Sequence, residues 1–232
     1  MSVANWLEYD RFAVYGLGRS GLAACRLLDR HGKDVLASDT ASREELEETL
    51  EQLPGSVDVR LGENTPGGAE AVVLSPGLSP STPAVDDLRG GDLPVLSEVD
   101  LAADASPAEI AAITGTDGKS TTTSMVGHIA AASGRAHEVA GNIGTPLSTV
   151  ADGVGTEALL IAEISAFQLW SSRHLSPSVA AFTNVADDHL DYFDGDRDAY
   201  RRAKRRLADL CEASAIGVFN LEDDTVRSWA AE

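Results

Sequence analysis

Apolar positions fall into short runs separated by stretches of helical spacing. Arg11–Tyr15 reads as a strand, and a glycine turn leads from it into a helix through about His31. Asp34–Ser38 is the next strand. Ser42-Arg43-Glu44-Glu45 has the form of a capping box, with Leu46, Leu50 and Leu53 following at helical spacing. Ala71–Leu74 is a buried strand running into Ser75-Pro76-Gly77. Around Ser97–Pro107 the chain turns polar and acidic, and then the alternation restarts. Ile110–Thr114 is a strand and Ser120–Ser133 a helix. Ala158–Ile164 and Val179–Thr183 are near-continuous apolar runs of the kind buried on both faces of a sheet. Asp196–Leu210 is a helix and Ala215–Asn220 a last strand. This alternation predicts an α/β chain of two successive parallel-sheet domains, residues 1–97 and 98–232, meeting near Ser97.

Composition narrows the functional classes. The 232 residues carry 18 Lys and Arg against 37 Asp and Glu, a formal net charge of −19. Such a surface repels phosphate backbones and disfavours general nucleic-acid binding. The one basic cluster, Arg201-Arg202-Ala203-Lys204-Arg205-Arg206, is local. No apolar run approaches a membrane span, and the N-terminus lacks a signal pattern. Cys25 and Cys211 match no metal spacing and read as buried small hydrophobes in a reducing compartment. The expectation is a cytoplasmic protein that binds neither membrane nor nucleic acid.

Gly16-Leu17-Gly18-Arg19-Ser20-Gly21 lies between a strand and a helix, where glycines allow an anionic group close to a helix N-terminus. Asp39 ends the second strand, where an acid can bind ribose hydroxyls. A glycine turn needed only for packing fits the same residues, and the motif does not separate NAD from a UDP-sugar. Ile113-Thr114-Gly115-Thr116-Asp117-Gly118-Lys119-Ser120-Thr121 is sharper. Its backbone N–H groups can cradle phosphates, Lys119 can reach the terminal ones, and the Ser120 or Thr121 hydroxyl can hold Mg²⁺. The usual spacing puts a glycine where this chain has Ile113, so the loop is a shortened variant.

Three further segments are ambiguous alone. Glu163 closes an apolar strand before Ile164-Ser165-Ala166-Phe167-Gln168-Leu169, as a Mg²⁺ ligand or as a solvated acid. Asn184-Val185-Ala186-Asp187-Asp188-His189-Leu190-Asp191 suits a metal or phosphate site, or a loop of turn-forming residues. Lys204, amid arginines, reads as a solvated basic face. Alternatively, positive crowding lowers its pKa and lets the neutral amine capture CO₂ as a carbamate.

Together, in this order, the segments Gly16–Gly21, Ser75-Pro76-Gly77, Thr114–Thr121, Gly141-Asn142-Ile143-Gly144, Glu163–Leu169, Asn184–Asp191 and Tyr200–Lys204 resemble the Mur ligase family. These are the ATP-dependent amide-forming enzymes of peptidoglycan synthesis, and Phe167-Gln168-Leu169 favours the D-glutamate-adding branch. The resemblance implies a Rossmann-like UDP-binding first domain and a P-loop ATPase-like central domain. It implies ATP, UDP-N-acetylmuramoyl-L-alanine and D-glutamate as substrates, an acyl-phosphate intermediate, Mg²⁺ as cofactor and a monomeric full-length enzyme. Residue by residue, Gly115, Thr116, Asp117, Gly118, Lys119, Ser120 and Thr121 bind ATP phosphates. Ser120 and Glu163 hold one Mg²⁺, and His189 with a carbamate on Lys204 holds a second. Gly18, Arg19, Ser20, Asp39, Ser75, Pro76 and Gly77 receive the uridine end, while Asn142 and Ser165 place the muramoyl part. Lys119, His189 and Lys204 are the implied catalytic residues.

Three departures stand out. Asp117 occupies a position usually held by Asn, and Ala166 one often held by Ser. Family members have a third domain and about twice this length. The resemblance therefore implies an incomplete central domain, an exposed sheet edge that favours association, and no ligase activity from these residues alone. A non-catalytic UDP-sugar-binding module is the alternative. An NAD-dependent oxidoreductase explains the first glycine loop but not Gly118-Lys119-Ser120-Thr121.

Overall fold

The computed structural model describes residues 5–231. After a 3-10 turn at Trp6–Glu8, the first half runs β1 (Arg11–Tyr15), α1 (Arg19–Arg30), β2 (Asp34–Asp39), α2 (Glu47–Leu50), β3 (Asp58–Leu61), β4 (Ala71–Leu74), α3 (Pro83–Arg89), β5 (Val95–Ser97) and α4 (Glu98–Ala105). The second half runs β6 (Glu109–Thr114), α5 (Lys119–Ser133), β7 (His137–Gly141), α6 (Leu147–Val150), β8 (Leu159–Glu163), α7 (Ala166–Leu169), β9 (Val179–Phe182), α8 (Arg197–Asp209), β10 (Ile216–Phe219) and α9 (Asp224–Trp229).

The strands form two five-stranded sheets, ordered β3-β2-β1-β4-β5 and β10-β9-β6-β8-β7, and every strand pairing is parallel. The expected α/β class of two parallel sheets is what the chain adopts. In the first sheet the order reverses between β1 and β4, so the glycine loop and Ser75-Pro76-Gly77 adjoin at a switch point. In the second sheet β6 lies between β8 and β9, which brings the ends of those three strands together.

Several elements differ from the sequence reading. Ser42 and Glu45 make capping-box hydrogen bonds, with Ser42 N donating to Glu45 Oε2 at 2.9 Å, yet regular helix is confined to Glu47–Leu50. Leu46, Leu50 and Leu53 still pack on the first core. The edge strands β3, β5 and β7 are not legible in the sequence because none carries a sustained apolar run. At the opposite edge of the second sheet, β10 leaves Ile216 and Val218 exposed.

The polar, acidic stretch beyond Ser97 forms the buried helix α4, which connects the two sheets. Leu101 belongs to the first core, where its carbonyl accepts a hydrogen bond from Trp6 Nε1 at 3.1 Å. Val99 and Ala102 belong to the second core. Glu98 is 1% exposed; its Oε1 accepts a hydrogen bond from the Ser148 amide at 2.6 Å, while Oε2 and Ser148 Oγ are buried without partners. Burial pushes the Glu98 carboxyl above its ordinary value of 4.5. The folded state therefore favours the proton. This contribution to stability is present below pH 4.5 and is lost as pH rises from there through the folded-state pKa. Glu98→Gln, which does not ionise, is expected to gain stability relative to the native chain across that window, on the order of 1 kcal/mol or more by neutral pH. Paired thermal melts between acid and neutral pH read this out; a difference that does not change with pH contradicts it.

Candidate functional site

The loop Gly115–Lys119 is held mainly through its backbone. Beyond Thr114 the chain passes Gly115 and Gly118, and Gly118 (φ 78°) starts α5 in the left-handed region. Asn184, after β9, clamps the loop: its Oδ1 accepts from Asp117 N and its Nδ2 donates to Asp117 O, both at 2.9 Å. Thr183 Oγ1 donates to Asp117 O at 2.7 Å, and the Thr116 hydroxyl lies 3.0 Å from Tyr200 OH on α8. Lys119 Nζ donates to Thr116 O at 2.7 Å. Ser120, Thr121 and the Asp117 side chain are exposed at the rim. The Asp117 carboxylate is therefore not what shapes the loop.

Glu163 ends β8 beside Ile113 of β6 and Gly141 of β7. Its side chain is 1% exposed; Oε1 accepts from Asn142 Nδ2 at 2.8 Å and Oε2 has no partner. Ser165 caps α7, exchanging hydrogen bonds with Gln168, so its hydroxyl has a structural task besides any ligand contact. His189 sits in the left-handed region (φ 48°, ψ 34°), a conformation a non-glycine residue adopts at some cost. Its ring meets Phe167 edge-on at 5.3 Å, and Nε2 lies 3.4 Å from Asp188.

Lys204 is not on a solvated face. It is 2% exposed, its Nζ donates to Gly115 O, and it lies 4.6 Å from the centre of the Tyr200 ring. Its pKa falls from 10.5 to about 7, chiefly through burial and then through repulsion from Lys119; Asp188 and Asp117 oppose the shift. Burial thus replaces the expected arginine crowding as the cause. Lys119, Asn142, Ser165, His189 and Lys204 line one cavity of about 70 Å³ with Phe167, Asp188 and Tyr200. Ala166 also lines it and packs against Phe193, Tyr200 and Ala203.

The first-sheet residues form a separate patch. Asp39 Oδ2 accepts from Leu17 N at 2.6 Å and Oδ1 from Ala41 N at 2.9 Å, so this acid also ties down the glycine loop. A Cβ on Gly21 would lie 1.9 Å from Gly16 O, so those two glycines serve strand–helix packing. Gly18 is the N-cap of α1, while Ser75, mostly buried, leads into Pro76 and exposed Gly77. Ser20 lies on the first turn of α1. Arg19 reaches across to donate to Gly144 O, two residues from Asn142.

Among the described residues no group of three or more His, Cys, Asp or Glu side chains is arranged to hold a metal ion. Mg²⁺ does not require one, since it is commonly held by one or two carboxylates together with substrate phosphates and water. The buried, unpartnered Glu163 Oε2 near the phosphate loop fits that arrangement. Asn184, Tyr200 and Phe167 had no assigned role in the sequence reading. Their position within the quoted motifs was the available signal.

Two parallel α/β sheets, the second with a glycine- and lysine-bearing loop between its middle strand and α5, define an α/β fold with a P-loop-like second half. Residues 113–232 match the Mur ligase middle domain, and residues 10–97 the MurD-like N-terminal domain of Mur ligases. The chain belongs to the Mur ligase family.

It is 43% identical over 189 residues to the UDP-N-acetylmuramoylalanine--D-glutamate ligase of Caldanaerobacter subterraneus subsp. tengcongensis, covering 80% of this chain and 42% of that protein. The protein of the same name from Anaeromyxobacter dehalogenans is 40% identical, covering 97% of this chain and 49% of its own length. The chain thus spans about half the length of these curated relatives. A Neisseria UDP-N-acetylmuramate:L-alanyl-gamma-D-glutamyl-meso-diaminopimelate ligase shares the fold, with TM-score 0.59 and 17% identity over 96% of this chain and 74% of that one. No helix among the described residues is long and apolar enough to cross a membrane.

Proposed function

We propose that these residues form the UDP-muramoyl- and ATP-binding half of a ligase of peptidoglycan precursor synthesis. It joins D-glutamate to UDP-N-acetylmuramoyl-L-alanine. The observation that carries this reading is the convergence of Lys119, Asn142, Ser165, His189 and Lys204 on one cavity, with Glu163 hydrogen-bonded to Asn142. The uridine diphosphate lies over Gly18, Arg19, Ser20, Asp39 and Ser75-Pro76-Gly77, and the muramoyl-alanine reaches Asn142 and Ser165. The alanine carboxylate attacks the γ-phosphorus of ATP to give an acyl phosphate and ADP. The amine of D-glutamate then displaces phosphate.

The physical difficulty is bringing two anions together, so positioning and charge neutralisation dominate. Lys119 supplies a cation at the transferred phosphoryl group. Ser120 and Glu163 would hold one Mg²⁺ and His189 with Lys204 a second, and the metal would supply charge neutralisation at the phosphoryl oxygens. For the second position Lys204 carries a carbamate, formed when neutral Nζ adds to CO₂ with loss of a proton; ¹³C-bicarbonate labelling and NMR test that modification.

The relatives have as much chain again, and we assign the D-glutamate grip to that other half. With Mg²⁺, ATP and UDP-N-acetylmuramoyl-L-alanine, the 232 residues are expected to bind both nucleotides and to show no D-glutamate-dependent ADP release. Failure of a folded sample to bind MgATP overturns the ligase reading. D-glutamate-dependent turnover overturns the division between halves. Binding of the UDP-sugar without ATP favours a non-catalytic module.

A further inference from the structure

Helix α4 is the connection between the sheets and is packed into both cores. One of its side chains is a fully buried carboxylate that, among the described residues, is held by hydrogen bonds and not by an ion pair. Asp100 is 0% exposed and accepts from five donors. Ser97 N, at 2.9 Å, belongs to the helix cap. The other four come from the segment just beyond α7: Ser172 Oγ at 2.5 Å and the amides of Arg173, His174 and Leu175 at 2.9, 2.8 and 3.1 Å. The segment is tied at two more points. Ser172 O accepts from Arg206 Nε at 2.5 Å, two residues beyond Lys204 on α8, and His174 Nδ1 lies 2.8 Å from Asp104 on α4.

One carboxylate thus joins the inter-sheet helix to the segment between α7, capped by Ser165, and the helix carrying Lys204. A buried charge met by N–H and O–H donors is costly to disturb, because losing the acceptor strands several donors at once. A short connection alone leaves two sheets free to turn about it. The Asp100 cluster fastens α4 to the second half, alongside Arg30 of α1, which crosses to Asp152 and Ser148 O.

We infer that Asp100 is a positioning residue that holds the uridine-diphosphate half of the proposed substrate site in register with the muramoyl-alanine half. The inference rests on the substrate reading above. It separates two ligands: UDP touches only the first sheet, whereas UDP-N-acetylmuramoyl-L-alanine spans both.

Asp100→Asn keeps the shape but puts an NH₂ group among donors. It is expected to weaken UDP-N-acetylmuramoyl-L-alanine at least tenfold in calorimetric titration and to leave UDP within about twofold. Ser172→Ala, which removes one donor, gives the same split with a smaller loss and serves if the first variant does not fold. Equal loss for both ligands, or no loss, overturns the inference.

A ligand-independent arm covers the case in which the native chain binds neither nucleotide. Spin labels at Glu51→Cys and His128→Cys, in a Cys211→Ser background, report the distance between the sheets by electron–electron resonance. Broadening of that distribution in Asp100→Asn or Ser172→Ala supports a locking role even where the substrate reading fails. An unchanged distribution overturns it.

Discussion

Lys119→Ala is expected to weaken MgATP binding by about a hundredfold while leaving the fold intact. The loop does not depend on this side chain for its shape. Asn184, Thr183 and Tyr200 hold it through Asp117 and Thr116, and the one hydrogen bond given for Lys119 Nζ goes to the loop's own Thr116 carbonyl. The variant therefore loses a cation at the phosphates, worth roughly 3 kcal/mol in a partly water-excluded site. Calorimetry should show the loss in affinity, and thermal melts should show a midpoint within a few degrees of the native chain. An affinity near native would mean that Lys119 does not face the phosphates. A large fall in the midpoint would mean that its role is structural.

The second large effect is on stability. Gly141 ends β7 with φ +111°, and a Cβ there would lie 2.3 Å from Glu163 O and 3.2 Å from Glu163 N. Gly141 is paired with Glu163 across the sheet, so an added methyl pushes β7 away from β8. Two hydrogen bonds are lost with it, Asn142 N to Glu163 O and Asn142 Nδ2 to Glu163 Oε1, each 2.8 Å. Gly141→Ala is expected to cost about 3 kcal/mol or more, combining a backbone clash with a left-handed alanine. For a chain of this size that lowers the melting midpoint by roughly 6–12 °C. It also displaces Asn142 and Glu163, so MgATP affinity falls in whatever folded fraction remains. A midpoint within a degree or two of native would show that β7 yields without cost.

Elements with apolar runs were legible because a strand buried on both faces must be apolar throughout, as in β6 and β8. The strands that escaped, β3, β5 and β7, lie at sheet edges, where side chains need not be apolar and the neighbouring strand supplies the hydrogen bonds. Helix α4 escaped for another reason. Glu98 and Asp100 look like surface acids, and their partners are amides about 50 to 75 positions away. Within the site, Lys119, Asn142, Glu163, His189 and Lys204 could be read from motifs, since residue type and local spacing carry their chemistry. Which groups clamp the loop could not be read so. Asn184 and Tyr200 act on Asp117 and Thr116 across gaps of 67 and 84 residues, contacts that only the ordering of β6, β9 and α8 creates. The burial of Lys204 is similar: a sequence of arginines around it suggests solvent, while the fold puts it beneath the loop at Gly115.

The central claim is that the first sheet receives a uridine nucleotide and the second its muramoyl end. Calorimetric titration of the 232-residue chain with UDP-N-acetylmuramoyl-L-alanine, with NAD as the control ligand, tests this most directly. The account requires saturable binding of the muramoyl nucleotide at one site and none of NAD. A folded sample that binds NAD instead, or binds neither, contradicts it.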